Sequence, residues 1–356
     1  MQQWTVGLMS GTSLDGIDVA MIETDGVGIG ARGPRATYPY DPALRDRLRA
    51  CLGGQGPIAE VEAEITDAHA AAVRDLMTRH GLTRDRIDMI GFHGHTILHR
   101  PDQRRTWQIG DGRRLSALLD RPVAWDFRSA DVAAGGQGAP FVPLYHQALA
   151  AGLDRPLAVV NIGGVANVTW IGGDGPDALA AFDTGPGNAP LDDWLRRHDA
   201  GSFDRDGAVS AAGRVDRALL ARLLDNPFFG RRPPKSLDRD DFRFDAVAAL
   251  NLADGAATLA AFTAASIARA ADHFPAAARR WLVTGGGRHN PTLMRELAAR
   301  VGVEVAPVEA VGWDGDALEA EAFAFLAQRV RRGLPLSVPS TTGVPEPIAG
   351  GQLHAA

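Results

Sequence analysis

Twice in this chain an apolar run turns through glycines into a second apolar run. The first reads "GLMSGTSLDGIDVAMIE" at residues 7–23 and the second "LAVVNIGGVANVTWIGG" at residues 157–173. Each pattern predicts a β-hairpin with a turn poor in bulky side chains, since glycine tolerates the backbone angles a tight reversal needs. One hairpin heads each half of a 356-residue chain, a length suited to two domains of roughly 150–200 residues. The period is far too long for a solenoid, so the repeat predicts two similar domains facing one another. Helices are predicted over residues 42–52 and 58–80; in the second, Val61, Ile65, Ala68, Ala72 and Leu76 recur on one helical face. Further helices are expected over the Ala-rich residues 254–274 and over 316–332, and a strand, glycine loop and helix over 281–297. Strands alternating with helices predict the α/β class. The Gly- and Pro-rich residues 131–140 suit an interdomain hinge, and "LPLSVPSTTGVPEP" at 334–347 a return over the surface.

A net charge of −6 argues against non-specific nucleic-acid binding, so any anionic ligand must be held by local basic groups or backbone amides. Cys51 is the single cysteine, which excludes an internal disulfide and fits a reducing compartment. The start "MQQWTVGLMSG" lacks the basic lead and apolar core of a signal peptide, and no run is long enough to span a bilayer. A cytoplasmic protein without a membrane partner is the expectation. Lys235 is the only lysine.

The turn at residues 11–18 suits an ordinary hairpin, or a cradle in which amides and the Thr12 and Ser13 hydroxyls wrap a phosphate. Gly285, Gly286 and Gly287 stand between an apolar strand and a helix expected near Pro291, where a ligand could approach the backbone. Neither a P-loop nor a dinucleotide fingerprint occurs. In "AFDTGPGNAPLDDWLRR", Asn188 is the natural helix cap, which leaves Asp183 free for another task. Its place late in an apolar run, before a glycine-rich turn, suits a catalytic carboxylate. His93 and His95 would share a strand face, as some metal hydrolases use, or line a polar pocket. Thr96 suits a substrate hydroxyl contact. Arg128, between Asp126 and Asp131, is a structural ion pair or a clamp on a substrate carboxylate. Lys235 reads as an exposed loop lysine and Glu319 as a solvated helix carboxylate. Trp107, Trp125, Trp170 and Trp313 read as core.

The blocks "GTSLDGID", "FHGHTILHRP", "WQIGDG", "DFRSADVAAGGQGAPFVP", "NIGGVANVT", "FDTGPGN", "PPKS" and "TGGGRHNP" resemble, in order and spacing, the anhydro-N-acetylmuramic acid kinase family from about Gly7 to Gly350. That family belongs to the actin-like, hexokinase-like ATPases. The resemblance implies two ribonuclease-H-like domains, residues 1–131 with 337–356 and residues 132–336, with an ATP and sugar cleft between them. It implies that Gly11, Thr12, Ser13, Leu14, Asp15, Gly16, Ile17 and Asp18 form a first phosphate loop. Gly163, Gly164 and Asn167 would fall in a second, and Gly285, Gly286, Gly287 and Asn290 on the adenosine side. Asp15 or Asp18 would help hold hydrated Mg²⁺. Asp183 would be the general base on a water, with Glu319 sharing that water, and His95, Thr96, Arg128 and Gly185 would meet the amino sugar. The implied reaction opens the 1,6-anhydro ring of anhydro-N-acetylmuramic acid and phosphorylates O6, giving N-acetylmuramic acid 6-phosphate and ADP in peptidoglycan recycling; a homodimer is implied too.

The chain departs from the family where Leu237 and Asp238 follow "PPKS" in place of the common Thr-Gly, with Arg239 retained; Arg288 stands where a small residue is frequent. Three other readings remain open at this level: a plain sugar kinase of the same fold, a nucleotide-driven switch, and a metal-dependent hydrolase built on His93 and His95.

Overall fold

The computed structural model describes residues 1–11, 14–237 and 241–356. The expected roles of Thr12, Ser13, Asp238 and Arg239 lie outside the described residues. The chain forms two compact units, residues 1–149 with 317–356, and residues 150–316. The first unit opens with β1 (Gln3–Ser10), β2 (Gly16–Thr24), β3 (Ile29–Pro39), α1 (Pro42–Ala50) and α2 (Ile58–Arg79). It continues with β4 (Met89–Arg100), β5 (Arg105–Ile109), α3 (Gly112–Leu119), β6 (Val123–Trp125), α4 (Ser129–Ala133) and α5 (Pro143–Leu149). The second unit holds β7 (Leu157–Ile162), β8 (Val165–Ile171), β9 (Leu179–Pro186), α6 (Ala189–Arg197), α7 (Ala208–Ala212) and α8 (Arg217–Leu224). It closes with α9 (Leu252–Ala268), β10 (Arg280–Thr284), α10 (Pro291–Val301) and β11 (Glu304–Pro307). The first unit is completed by α11 (Leu318–Arg331), α12 (Pro339–Thr342) and β12 (Gln352–His354).

Both units carry one topology. In the first, β1, β2 and β3 form an antiparallel meander, β4 runs parallel to β1, and β6 parallel to β4. In the second, β7, β8 and β9 form the meander, β10 runs parallel to β7, and β11 parallel to β10. A meander needs only tight turns, whereas each parallel step needs a crossover, supplied here by helices. The repeat visible at the two hairpins thus extends to whole sheets, and the α/β expectation holds. The first sheet adds β5 beside β4 and β12 beside β6. Among the described residues, no helix is long and apolar enough to cross a membrane.

In the first unit, one face of the sheet packs Val6, Leu8, Ile90 and Phe92 against Val61, Ile65, Val73 and Leu76 of α2. The alternate residues Gly7 and Gly91 meet the backbone of α11. A Cβ on Gly7 would lie 1.8 Å from the Ala320 carbonyl oxygen, and one on Gly91 2.1 Å from that of Phe323. Both positions must therefore be glycine. In the second unit, Val160, Ile162, Val168, Trp281 and Val283 pack with Ala264 and Ile267 of α9 and Leu293 and Leu297 of α10.

Several expectations change. Residues 131–140 lie within the first unit rather than forming a hinge. The Asp131 carboxylate accepts hydrogen bonds from the Gly138 amide and from Thr342 Oγ1, each at 2.6 Å, and the Gln137 amide donates to the Thr342 carbonyl at 2.7 Å. The unit boundaries consequently fall after residues 149 and 316, not at 131 and 336. Residues 334–347 likewise bury Leu336, Val338 and Thr342 instead of merely skirting the surface. Of the tryptophans, Trp170 and Trp313 are buried, but Trp107 is 38% exposed.

Gly91→Ala should lower stability by about 3 kcal/mol, because the intruding methyl group meets helix backbone that cannot rotate away. Gly152→Ala, with nothing within 4 Å of the added Cβ, should be nearly neutral. Urea denaturation midpoints of the two variants check both outcomes.

Candidate functional site

In the second unit four adjacent strands place a polar residue at the same level. Thr284 of β10 pairs with Asn161 of β7, Asn161 with Asn167 of β8, and Asn167 with Asp183 of β9. Directly paired residues point to one face. Since Ile162, Val168, Phe182 and Val283 belong to the core with α9 and α10, this polar row occupies the opposite face. Asp183 is the row's only ionisable member. Its amide donates to the Lys235 carbonyl at 3.0 Å, and its Oδ2 accepts from the Leu237 amide at 2.8 Å. Desolvation pushes its carboxyl up to about 7, against the Leu237 hydrogen bond and the nearby Lys235 charge, both of which favour the carboxylate. Oδ1 accepts no hydrogen bond from any described residue. One oxygen is thus fixed and the other left open.

Beside this row the glycine loops of the unit come together. The Gly187 and Asn188 amides donate to the Gly164 and Gly163 carbonyls at 2.9 and 2.7 Å. The Asn188 side chain donates to the Ile162 carbonyl at 3.0 Å instead of capping α6, although Asn188 occupies the cap position. Gly285 has φ +75°, and a Cβ there would lie 2.3 Å from Asn161 Oδ1; one on Gly287 would lie 2.5 Å from the Ile162 side chain. These two glycines are demanded by packing. At Gly163, Gly164 and Gly286 the nearest atoms to an added Cβ are 3.5, 3.8 and 3.6 Å away. There the fold itself has no need of glycine, and the surface is open to a ligand approaching the backbone. Gly185, at φ +151°, packs on Ser266 of α9. Asn290 caps α10 through the Leu293 amide at 3.0 Å and lies 3.4 Å from Asp204. Arg288 is buried beneath the loop, bonded to the Gly285 carbonyl, Glu309 and Asp316.

Lys235 is buried rather than exposed. Its ammonium donates to the carbonyls of Phe228 and Phe229 at 3.1 and 3.4 Å and lies 4.6 Å from the centre of the Phe228 ring. Desolvation, assisted by Arg231, lowers it to about 8.

In the first unit, the turn after β1 closes through the Leu14 amide to the Gly11 carbonyl at 3.1 Å, with Leu14 buried at φ +61°. Gly16 answers to packing: a Cβ there would lie 2.3 Å from the Tyr38 carbonyl oxygen. Ile17 is buried, Asp15 is exposed, and Asp18 is half-buried, accepting from Thr37 Oγ1 at 2.6 Å. His93 and His95 do not share a face. Gly94 between them has φ +71°, which breaks the strand's alternation. His93 packs on Phe323 and accepts from Arg128 Nε at 3.0 Å, while His95 bonds Ser10 Oγ at 2.9 Å on the side of α2. Burial lowers both rings, His95 to about 4, so both are neutral. Tyr40 donates to the same Ser10 hydroxyl at 2.7 Å. Thr96 accepts from Gln108 Nε2 at 3.1 Å. Arg128 also donates to the Gly138 carbonyl at 2.5 Å and has the Glu319 and Asp131 carboxylates nearby. Glu319, at the start of α11, is half-buried rather than solvated. Asn161, Thr284, Ser10 and Tyr40 receive no role from the sequence, although Asn161 and Thr284 open the blocks "NIGGVANVT" and "TGGGRHNP" and Ser10 adjoins Gly11.

The family model described as anhydro-N-acetylmuramic acid kinase matches residues 3–356. A relative of that name from Paramagnetospirillum magneticum is 55% identical, covering 98% of this chain and 99% of its own length. Another, from Acidiphilium cryptum, is 56% identical over 98% of this chain and 97% of its own. With the family model spanning almost every residue and relatives this similar over their full lengths, the chain belongs to the anhydro-N-acetylmuramic acid kinase family.

Proposed function

We propose that the chain is an ATP-dependent kinase that hydrolyses the internal ether of 1,6-anhydro-N-acetylmuramic acid while phosphorylating its O6. The observation that carries the mechanism is Asp183, a desolvated carboxyl with one oxygen anchored and one open. In the anhydro sugar O6 is bonded to C1, so no free 6-hydroxyl exists to be deprotonated. Asp183, as carboxylate, takes a proton from water through Oδ1 while the water oxygen bonds to C1. The C1–O6 bond breaks with its electron pair on O6. O6 then bonds to the γ-phosphorus as the bridging bond to ADP breaks. The products are N-acetylmuramic acid 6-phosphate and ADP. Glu319, beside Arg128 in the first unit, is assigned to the same water.

The open glycines Gly163, Gly164 and Gly286 suit backbone contact with the nucleotide, and the turn at 11–18 suits its phosphates. His95, Thr96, Arg128 and Gly185 are assigned to the sugar; in this assignment Arg128 answers the lactyl carboxylate. Asn167 is placed with the nucleotide loop, and Asn290 supports that region as the cap of α10. Asp15 and Asp18 offer oxygen donors alone, a set that fits Mg²⁺, which retains most of its waters and takes one or two carboxylates. They would hold it there, and when bound it would neutralise charge on the phosphates. A cytoplasmic homodimer completes the reading.

Mass spectrometry of the product, after incubation with ATP, Mg²⁺ and the anhydro sugar, should show the substrate plus one phosphoryl group and one water. Gain of the phosphoryl group alone would identify a plain sugar kinase. Asp183→Asn should retain ATP binding by calorimetry while its turnover falls by at least ~10²-fold; normal turnover would remove Asp183 from the role of base.

The raised carboxyl makes two further outcomes measurable. kcat/KM should decline as pH falls below about 7, where Asp183 takes up its proton. Stability has its own sign. A carboxyl whose folded value lies above its unfolded one contributes stability below about 4 that is lost as pH rises toward 7. Asn has no proton to lose, so the Tm of Asp183→Asn relative to the parent should increase from pH 4 to pH 8.

A further inference from the structure

The chain's only lysine has no part in the reaction described above, yet it is buried directly behind the proposed base. Asp183 follows Phe182 on β9, and the two side chains leave opposite faces of the sheet. The Lys235 ammonium lies 5.8 Å from the Phe182 ring centre and 4.6 Å from that of Phe228. Its donated hydrogen bonds go to the carbonyls of Phe228 and Phe229. The same residue's own carbonyl accepts the Asp183 amide, and two residues later the Leu237 amide grips Asp183 Oδ2. The side chain of Lys235 thus fastens the segment 235–237 to the turn at residues 227–230, and the backbone of that segment holds the carboxylate on two sides.

We infer that Lys235 is a positioning residue, which fixes the Leu237 amide against Asp183 and keeps a cation behind the carboxylate on the far side of the strand. The inference rests on Asp183 being the base. Two aromatic faces and two carbonyls are a setting that retains an ammonium group in a site too dry for a free one. The cation makes no ion pair with Asp183 and leaves Oδ1 open. It acts through space, favouring ionisation of Asp183, while the buried setting disfavours it. Other charges adjoin this arrangement. Arg231 lies over the Phe228 ring at 5.9 Å and Arg269 over the Phe229 ring at 5.4 Å. His273 Nε2 bonds the Phe229 carbonyl at 3.0 Å. Arg231 opposes the charge on Lys235, so removing it should move the base less than removing Lys235 itself.

Lys235→Met keeps the length and apolar stem while deleting the charge and its donors. It should lower kcat roughly tenfold and displace the acidic limb of the kcat/KM profile to higher pH, with KM for ATP little changed. Lys235→Arg, retaining the charge, should leave that limb near its parental position even where kcat falls. A Lys235→Met enzyme with parental kcat and an unmoved limb overturns the inference.

Should neither variant fold, the parent protein still decides. Grown with lysine carrying ¹³C at Cε, it yields a single side-chain resonance, free of overlap. That resonance should show a step at the ionisation of Asp183, absent in Asp183→Asn. Its absence from the parent protein overturns the inference. Failure of the functional reading looks different: Asp183→Asn would turn over normally whatever the lysine resonance shows.

Discussion

A carboxyl group withdrawn from bulk water, with one backbone amide as its sole described donor, is an unfavourable thing to build into a sheet. The second unit is arranged to tolerate it at Asp183. Strand pairing fixes the backbone on one side, through Asn167. On the other side the segment after the Pro233–Pro234 pair supplies an acceptor for the Asp183 amide and a donor for its Oδ2. The neighbours at the same level, Asn167, Asn161 and Thr284, are polar without being charged, so they neither neutralise the carboxyl nor compete with it. A group held in this way has its proton affinity close to that of its working surroundings, which is what transferring a proton from water demands.

Much of the architecture was legible because it is written in local patterns. Glycine between two apolar runs identified β1 with β2 and β7 with β8, and helical periodicity identified α2. The third strand of the first sheet was not legible. Residues 29–39 of β3 contain two glycines and two prolines and are mostly exposed, so the alternation that betrays a strand is missing. The strand exists because β2 offers it a partner. The unit boundaries were hidden for a related reason. Residues 131–140 have the composition of a linker, but Asp131 ties them to Thr342, more than two hundred positions away. Composition reports what a segment tolerates, not what distant residue holds it.

The site divides in the same way. Asp183 stood out by its place late in an apolar run, and the glycine loops by their repetition. Lys235 was misread because its local setting of arginines and prolines looks like surface, while a turn just upstream brings Phe228 and Phe229 back over it and Phe182 arrives from β9. The His93 and His95 pair was misread because alternation along a strand presumes strand backbone, and Gly94 departs from it. The glycines carry the finer lesson. Gly16, Gly285 and Gly287 answer to their own fold, whereas Gly163, Gly164 and Gly286 have open space where a side chain would be. Only the folded structure separates the two kinds.

Arg288 has a mechanical consequence. Its guanidinium joins the Gly285 carbonyl at 3.0 Å to the Asp316 carboxylate at 2.7 Å, and Asp316 is the last residue before the chain leaves for α11. The glycine loop and the departing strand of chain are therefore riveted to one another by a side chain that is itself immobilised. A displacement of either is felt by its neighbour within a few bond lengths, so the glycine loop and the last residues of the second unit answer to one buried side chain.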